Sequence, residues 1–179
     1  DDPRREIRLV HLLQMTSGLG WDETYAPGSD STRMLFQAPS ASEVALRSPA
    51  EHPPGTFFYY SSGTTNLLAR FVRDRLGGNQ AQIDFFDREL RAPLGLRHTL
   101  FEPDPSGVFV GSSYIYASAR DWARLGLLML DRGAFDGRQL LAPDWVERAV
   151  APNDSANDRR YGYQFWLNGP EPLRWPGLP

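Results

Sequence analysis

Pro53-Pro54-Gly55-Thr56-Phe57-Phe58-Tyr59-Tyr60-Ser61-Ser62, running on into Gly63 to Leu76, sets the frame for the rest of the chain. The Pro-Pro-Gly run forces a turn, since proline fixes φ and glycine accepts a left-handed one. Four aromatic residues follow, in an extended or tightly turned segment. From about Ser62 the spacing of Leu67, Leu68, Phe71, Val72 and Leu76 predicts a helix to Leu76 with these residues on one face. Gly77-Gly78 stops it.

Upstream, Ile7 to Met15 is dense in apolar residues and predicts one short helix, with Gly18 as its left-handed cap. Trp21 to Pro39 reads as a long loop whose large side chains are Trp21 and Tyr25, and lining a site is a common reason for such a loop. Ser40-Ala41-Ser42-Glu43 has the pattern of a capping box opening a helix to Arg47. Downstream, Ile83, Phe86 and Leu90 recur at helical spacing, with Pro93 ending that helix. Leu94 to Val110 reads mostly as loop. Ser118-Ala119-Arg120-Asp121 opens a further helix with Trp122, Leu125 and Met129 on one side and a stop at Gly133. Pro143 suits the first turn of the next, with Trp145, Val146 and Val150 inward. Tyr161 to Leu167 reads as a strand, Asn168-Gly169 as a turn, and Leu173 to Trp175 as the start of a return strand.

At 179 residues and 20.2 kDa the chain is long enough for one domain with a core. Its 41% hydrophobic and 23% charged content is globular rather than disordered. A net charge of −3 with no basic stripe argues against a nucleic-acid partner, and no apolar run is long enough to span a bilayer. There is no cysteine, which excludes disulfides and thiolate chemistry. His11, His52 and His98 lie 41 and 46 positions apart, which is no metal-ligand spacing. Asp22-Glu23 and Asp84 with Asp87 are explained by a solvated loop and a helix face. Gly-x-Ser-x-Gly, Walker and Gly-x-Gly-x-x-Gly patterns are missing. All 19 basic residues are Arg, so any chemistry that needs a lysine must draw it from outside these residues.

Several stretches, taken in order, resemble the serine β-lactamase-related family. This family groups class C β-lactamases, D-stereospecific peptidases, related esterases and aminohexanoate-oligomer hydrolases. His11-Leu12-Leu13-Gln14-Met15-Thr16-Ser17-Gly18-Leu19 is similar to its HLLxHTSGL segment. Pro54 to Ser62 is similar to PGxxFxYSN, and Pro93-Leu94-Gly95-Leu96-Arg97-His98-Thr99 to PLGMxxT. Gly111-Ser112-Ser113-Tyr114 with Ser118 to Gly126 is similar to GGxxxSaxDxarfg. Tyr161-Gly162-Tyr163-Gln164-Phe165-Trp166 is similar to YGxGWW, and Trp175-Pro176-Gly177 also fits. Trp21 to Tyr25 and Ser112 to Tyr114 lean toward the esterase and aminohexanoate-hydrolase branch.

The resemblance implies a mainly α fold with a short β-hairpin. This corresponds to the helical domain plus the start of the sheet of the β-lactamase/transpeptidase-like α/β fold. It also implies a serine hydrolase that cleaves a small-molecule ester or amide through an acyl-enzyme, with no metal or organic cofactor. Tyr60 falls on the tyrosine of the family's Tyr-x-Asn element, the general base and acid, with Tyr59 its rival if the match slips by one. Cationic neighbours would lower the phenol's pKa toward that task. Ser62 replaces the usual Asn, a shorter group with a different hydrogen-bonding capacity, which favours simple esters or linear amides over β-lactams. Tyr25, Trp21, Ser112, Ser113 and Tyr114 join Ser62 as candidate substrate-binding residues. The Ser-x-x-Lys and Lys/His-Thr/Ser-Gly elements are not found, so residues 1–179 are expected to be one partial domain, truncated at both ends and inactive alone. The alternative is a non-catalytic peptide- or glycan-binding module that keeps the fold.

Overall fold

The structure, a computed structural model, describes residues 2–168. The turn at Asn168-Gly169 and the return strand at Leu173 to Trp175 therefore lie wholly or partly outside the described residues. A 3-10 turn (Pro3–Glu6) leads into α1 (Leu9–Leu13), α2 (Asp30–Phe36), α3 (Ala41–Leu46) and α4 (Ser62–Leu76). Then come α5 (Asn79–Phe86), a π-helical turn (Asp87–Arg91) and α6 (Ala92–Leu94). Strand β1 (Thr99–Phe101) pairs antiparallel with β2 (Ile115–Ala117), Leu100 opposite Tyr116. Helix α7 (Ala119–Leu130), the short antiparallel pair β3 (Ala134–Phe135) and β4 (Arg138–Gln139), and α8 (Pro143–Ala149) follow. Helices with small hairpins are what the fold expectation required.

Helix α4 begins and ends where its sequence says. Ser61 Oγ accepts the Thr64 N–H at 3.1 Å, and Gly77 closes the helix at φ 97°. Its buried part, however, is the first turn: Ser62, Gly63, Thr64 and Asn66. The expected apolar face is only half covered, with Phe71 and Val72 each 43% exposed. Leu67 and Phe71 line a groove of about 500 Å³ with Ile7, Leu12 and Leu46. Leu68 and Val72 line another of about 340 Å³ with Phe86, Phe101 and Phe109.

Among the described residues three small cores hold the elements. Trp21, Met34, Ala41, Val44 and Ala45 pack between α2, α3 and the start of α4. Met15, Phe58 and Tyr161 form the second, and Leu94, Leu96 and Leu128 the third.

Several local expectations are corrected. The supposed loop from Trp21 contains α2, capped by Ser29, whose Oγ accepts the Thr32 N–H. Helix α1 ends at Leu13, and Met15 at φ 58° turns the chain away from it. Gly18 is left-handed as expected, at φ 76°, but it lies beyond the end of α1 and serves a close approach: a Cβ there would lie 2.1 Å from the His52 carbonyl oxygen. The Ser40 box does not form. The Ala41 N–H is taken by Asp104 across the fold, while Glu43 pairs with Arg70 of α4. Pro93 does not end its helix; the π turn before it accommodates a residue that lacks an N–H and crowds the carbonyl four positions back.

Trp122 is half exposed, because Asp121 is drawn inward by the His98 N–H and the Thr99 hydroxyl. Asp121 and Leu128 are the buried residues of α7, and Leu125 packs against the Leu94 core. In α8 Val146 and Ala149 are buried, whereas Val150 is exposed. The Tyr161 to Leu167 strand is folded back on itself. Tyr161 bridges Trp166, and Gln164 turns at φ 63°. Gly162 and Tyr163 are pulled onto the end of α8, where the Tyr163 N–H reaches the Ala149 carbonyl at 2.8 Å.

Candidate active site

The Phe57 to Tyr60 segment is extended and held on both edges. The Tyr59 N–H donates to the Met15 carbonyl at 2.9 Å. The Asn157 side chain accepts from the Phe58 N–H and donates to its carbonyl, both at 2.8 Å. Side chains alternate along such a segment. Phe58 and Tyr60 therefore share one face, against Tyr161 and Trp166. The Tyr60 ring is stacked on Trp166 with centroids 5.5 Å apart and meets Tyr161 edge-on at 6.1 Å. Tyr59 points to the other side and lines a small pocket with Ser17, Trp21, His52 and Phe57. Tyr60 is 39% exposed, so its ring is anchored while part of it stays open to solvent.

Two residues on, Ser62 opens α4 and is buried. Its hydroxyl donates to Glu23 Oε1 at 2.5 Å and its N–H to Glu23 Oε2 at 2.8 Å. Glu23 Oε2 also accepts the Trp21 indole N–H at 2.5 Å. The Trp21 ring itself lies in the first core, against Gly63. Tyr25 stands out from this loop at 65% exposure. Burial raises the Tyr60 phenol above its ordinary pKa, and the charge of Glu23 and then Tyr25 push it the same way. The expected lowering by cationic neighbours is thus reversed within these residues.

Ser112, Ser113 and Tyr114, each half-buried, gather one turn further along α4, at Asn66. Asn66 Nδ2 donates to the Ser62 carbonyl at 3.0 Å and to Ser112 Oγ at 2.9 Å. Ser112 and Ser113 share a hydroxyl contact of 3.1 Å. The Tyr114 hydroxyl reaches the Leu35 carbonyl at 3.4 Å, and burial raises its pKa first, with Tyr116 and Glu102 adding to it. Of the seven candidate residues, Ser62 and Trp21 thus bond to Glu23, with Tyr60 two residues before Ser62 and Tyr25 two residues after Glu23. The other three form a second group joined to the first through Asn66.

Residues 1–178 match the family model described as Beta-lactamase. The chain belongs to that family. Among curated relatives, the 6-aminohexanoate-dimer hydrolase of Paenarthrobacter ureafaciens is 29% identical over 126 residues, which is 64% of this chain and 32% of that enzyme. The match thus spans about a third of that relative's length. A solved structure from Bacillus anthracis, described as a candidate 6-aminohexanoate-dimer hydrolase, superposes with a TM-score of 0.73 at 20% identity. It covers 93% of this chain and 48% of that one. The D-amino acid amidase of Ochrobactrum anthropi SV3, complexed with D-phenylalanine, gives 0.60 at 16% identity over 84% of this chain and 50% of its own. These likenesses place the helices and hairpins described above in the β-lactamase and penicillin-binding-protein fold.

In this Beta-lactamase family member, sequence reasoning passed over Glu23, Asn66 and Asn157 as parts of the site. Asp22-Glu23 looks like a solvated pair, and Asp22 is exposed and bound only to nearby groups. Nothing local marks Glu23, whose partner Ser62 is 39 positions away. Tyr161 and Trp166 sit in a recognised segment, but reading it as a strand hid their shared contact with Tyr60. Among the described residues there is no cluster of three potential metal-binding side chains and no helix long and apolar enough to cross a membrane.

Proposed function

We propose that this chain carries the tyrosine arm of a serine hydrolase that cleaves a carboxylic ester or linear amide through an acyl-enzyme. The observation that carries the reading is the placement of Tyr60. Its ring is fixed by Trp166 and Tyr161, part of it is open to solvent, and it stands immediately before the cap of α4. In the reaction the phenolate takes the proton of an attacking serine hydroxyl. As phenol it then returns that proton to the leaving oxygen or nitrogen, and it repeats the cycle with water to release the acid. The serine and its lysine come from polypeptide outside these 179 residues, which contain no lysine. The raised pKa of Tyr60 makes that cation a requirement, because it must offset both burial and Glu23.

Ser62 supports the preference for unstrained esters and amides, since its short hydroxyl is committed to Glu23. Turnover of a short-chain nitrophenyl ester should exceed that of a nitrocefin-type lactam in the full-length enzyme. A preference for the lactam overturns this part. The isolated 179 residues should show neither turnover nor labelling by a serine-directed phosphonate. Trp166, 56% exposed beside Tyr60, favours a second reading as a non-catalytic peptide- or glycan-binding module. Binding without turnover or labelling by the full-length protein selects that reading.

A further inference from the structure

Glu23 lies on a loop, yet both its carboxylate oxygens are engaged. One accepts the Trp21 indole N–H and the Ser62 N–H, the other the Ser62 hydroxyl. The Ser62 N–H is one of those a helix leaves unpaired in its first turn, and α4 has no acidic residue of its own there. A carboxylate borrowed from 39 positions away does more than cap. It fixes the distance between two segments that carry aromatic side chains to one place. Trp21 is locked beside it, its ring so close to Gly63 that a Cβ on Gly63 would lie 2.6 Å away. Tyr25, two residues beyond Glu23, is exposed, and Ser62, which Glu23 holds, lies two residues after Tyr60.

We propose that Glu23 is a positioning residue, a clamp that holds the Trp21 to Tyr25 segment on the start of α4, two residues after Tyr60, and so keeps that segment at the edge of the substrate site. With all its bonds directed inward, Glu23 itself touches no substrate. The consequence for turnover rests on the hydrolase reading above; the clamp does not.

Glu23→Gln and Glu23→Ala in the full-length enzyme separate clamp from charge. The Gln carbonyl can accept both N–H groups and its amide can donate to Ser62 Oγ, so the clamp survives without the charge. Ala removes both. For an aromatic-acyl nitrophenyl ester, Glu23→Ala should raise KM about tenfold with kcat within about threefold, whereas Glu23→Gln stays within about twofold in KM. Hydrogen exchange of amides 22–28 should accelerate at least about tenfold in the Ala variant alone, while amides 66–76 of α4 keep their protection. A helix cap and nothing more would loosen the start of α4 and leave KM unmoved. The proposal is overturned by unchanged loop exchange in Glu23→Ala whatever KM does, by an unchanged KM in a working enzyme, or by Glu23→Gln being as damaging as Ala. If the unsubstituted enzyme neither hydrolyses the ester nor reacts with a phosphonate, the hydrolase reading falls. The clamp is then decided by exchange alone.

Discussion

Two adjacent tyrosines, chemically identical, are separated in this fold by the pleat of a four-residue segment. Tyr60 joins Phe58 on the Trp166 side; Tyr59 joins Phe57 near His52. Only one of them can share a cleft with groups on the Trp166 side. In the full-length enzyme Tyr60→Phe should lower kcat by at least about 10²-fold, the scale of a lost general acid-base, and Tyr59→Phe should leave kcat within about threefold. The reverse pattern in steady-state ester hydrolysis moves the role to Tyr59. The residues around Tyr60 were legible to unequal degrees. Trp21, Tyr25 and Ser62 stand in stretches with recognisable wording. Glu23 lies in the same Trp21 to Tyr25 stretch, but its role is not legible there, because its partner Ser62 is far along the chain and no spacing rule connects the two.

At the scale of the element, α4 is the most telling. Its bounds follow from local chemistry: a serine that can cap, apolar spacing, and paired glycines that stop. What it buries does not, because that depends on which neighbours arrive. Gly63 shows the difference. Exposed in a helix, Gly→Ala gains about 1 kcal/mol from propensity. Here the added carbon would meet the Trp21 ring at 2.6 Å, and overpacking of that kind costs about 1–3 kcal/mol. The ring has little freedom to step aside, since it is wedged among Met34, Ala41, Val44 and Ala45 and its N–H is bound to Glu23. Gly63→Ala should therefore lower the midpoint of denaturant unfolding. A higher midpoint would show that the indole yields. Helix α2 was not legible for a related reason. Its apolar residues Met34, Leu35 and Phe36 are consecutive rather than spaced around a face, and packing on α3 and α4 supplies the order. The π turn before Pro93 is likewise an accommodation between neighbours, visible as a proline in the sequence but not as a geometry.

Across the whole molecule, ionisation of the phenols links alkaline stability to the site. Burial raises Tyr60, Tyr114 and Tyr161 above the ordinary range, and Tyr161 most. The folded chain then holds these protons more tightly than the unfolded chain. Below about pH 10 both states are protonated and stability is unaffected; above it the unfolded state ionises first, so stability falls as pH rises. Tyr161 occupies the joint between two parts of the molecule. It is buried with Met15 and Phe58, and its ring meets Trp166 and Tyr60 edge-on. A charge placed there would separate the folded-back Tyr161 to Trp166 segment from the segment that carries Tyr60. Phenolate absorbance and far-ultraviolet circular dichroism, followed together through an alkaline titration, should therefore share a late step. In Tyr161→Phe, which keeps the ring and loses the ionisable hydroxyl, that step should move to higher pH and shrink. Full phenolate absorbance from all seven tyrosines with the dichroism unchanged would show that no phenol is protected by the fold, and Tyr161 would lose its place at the joint.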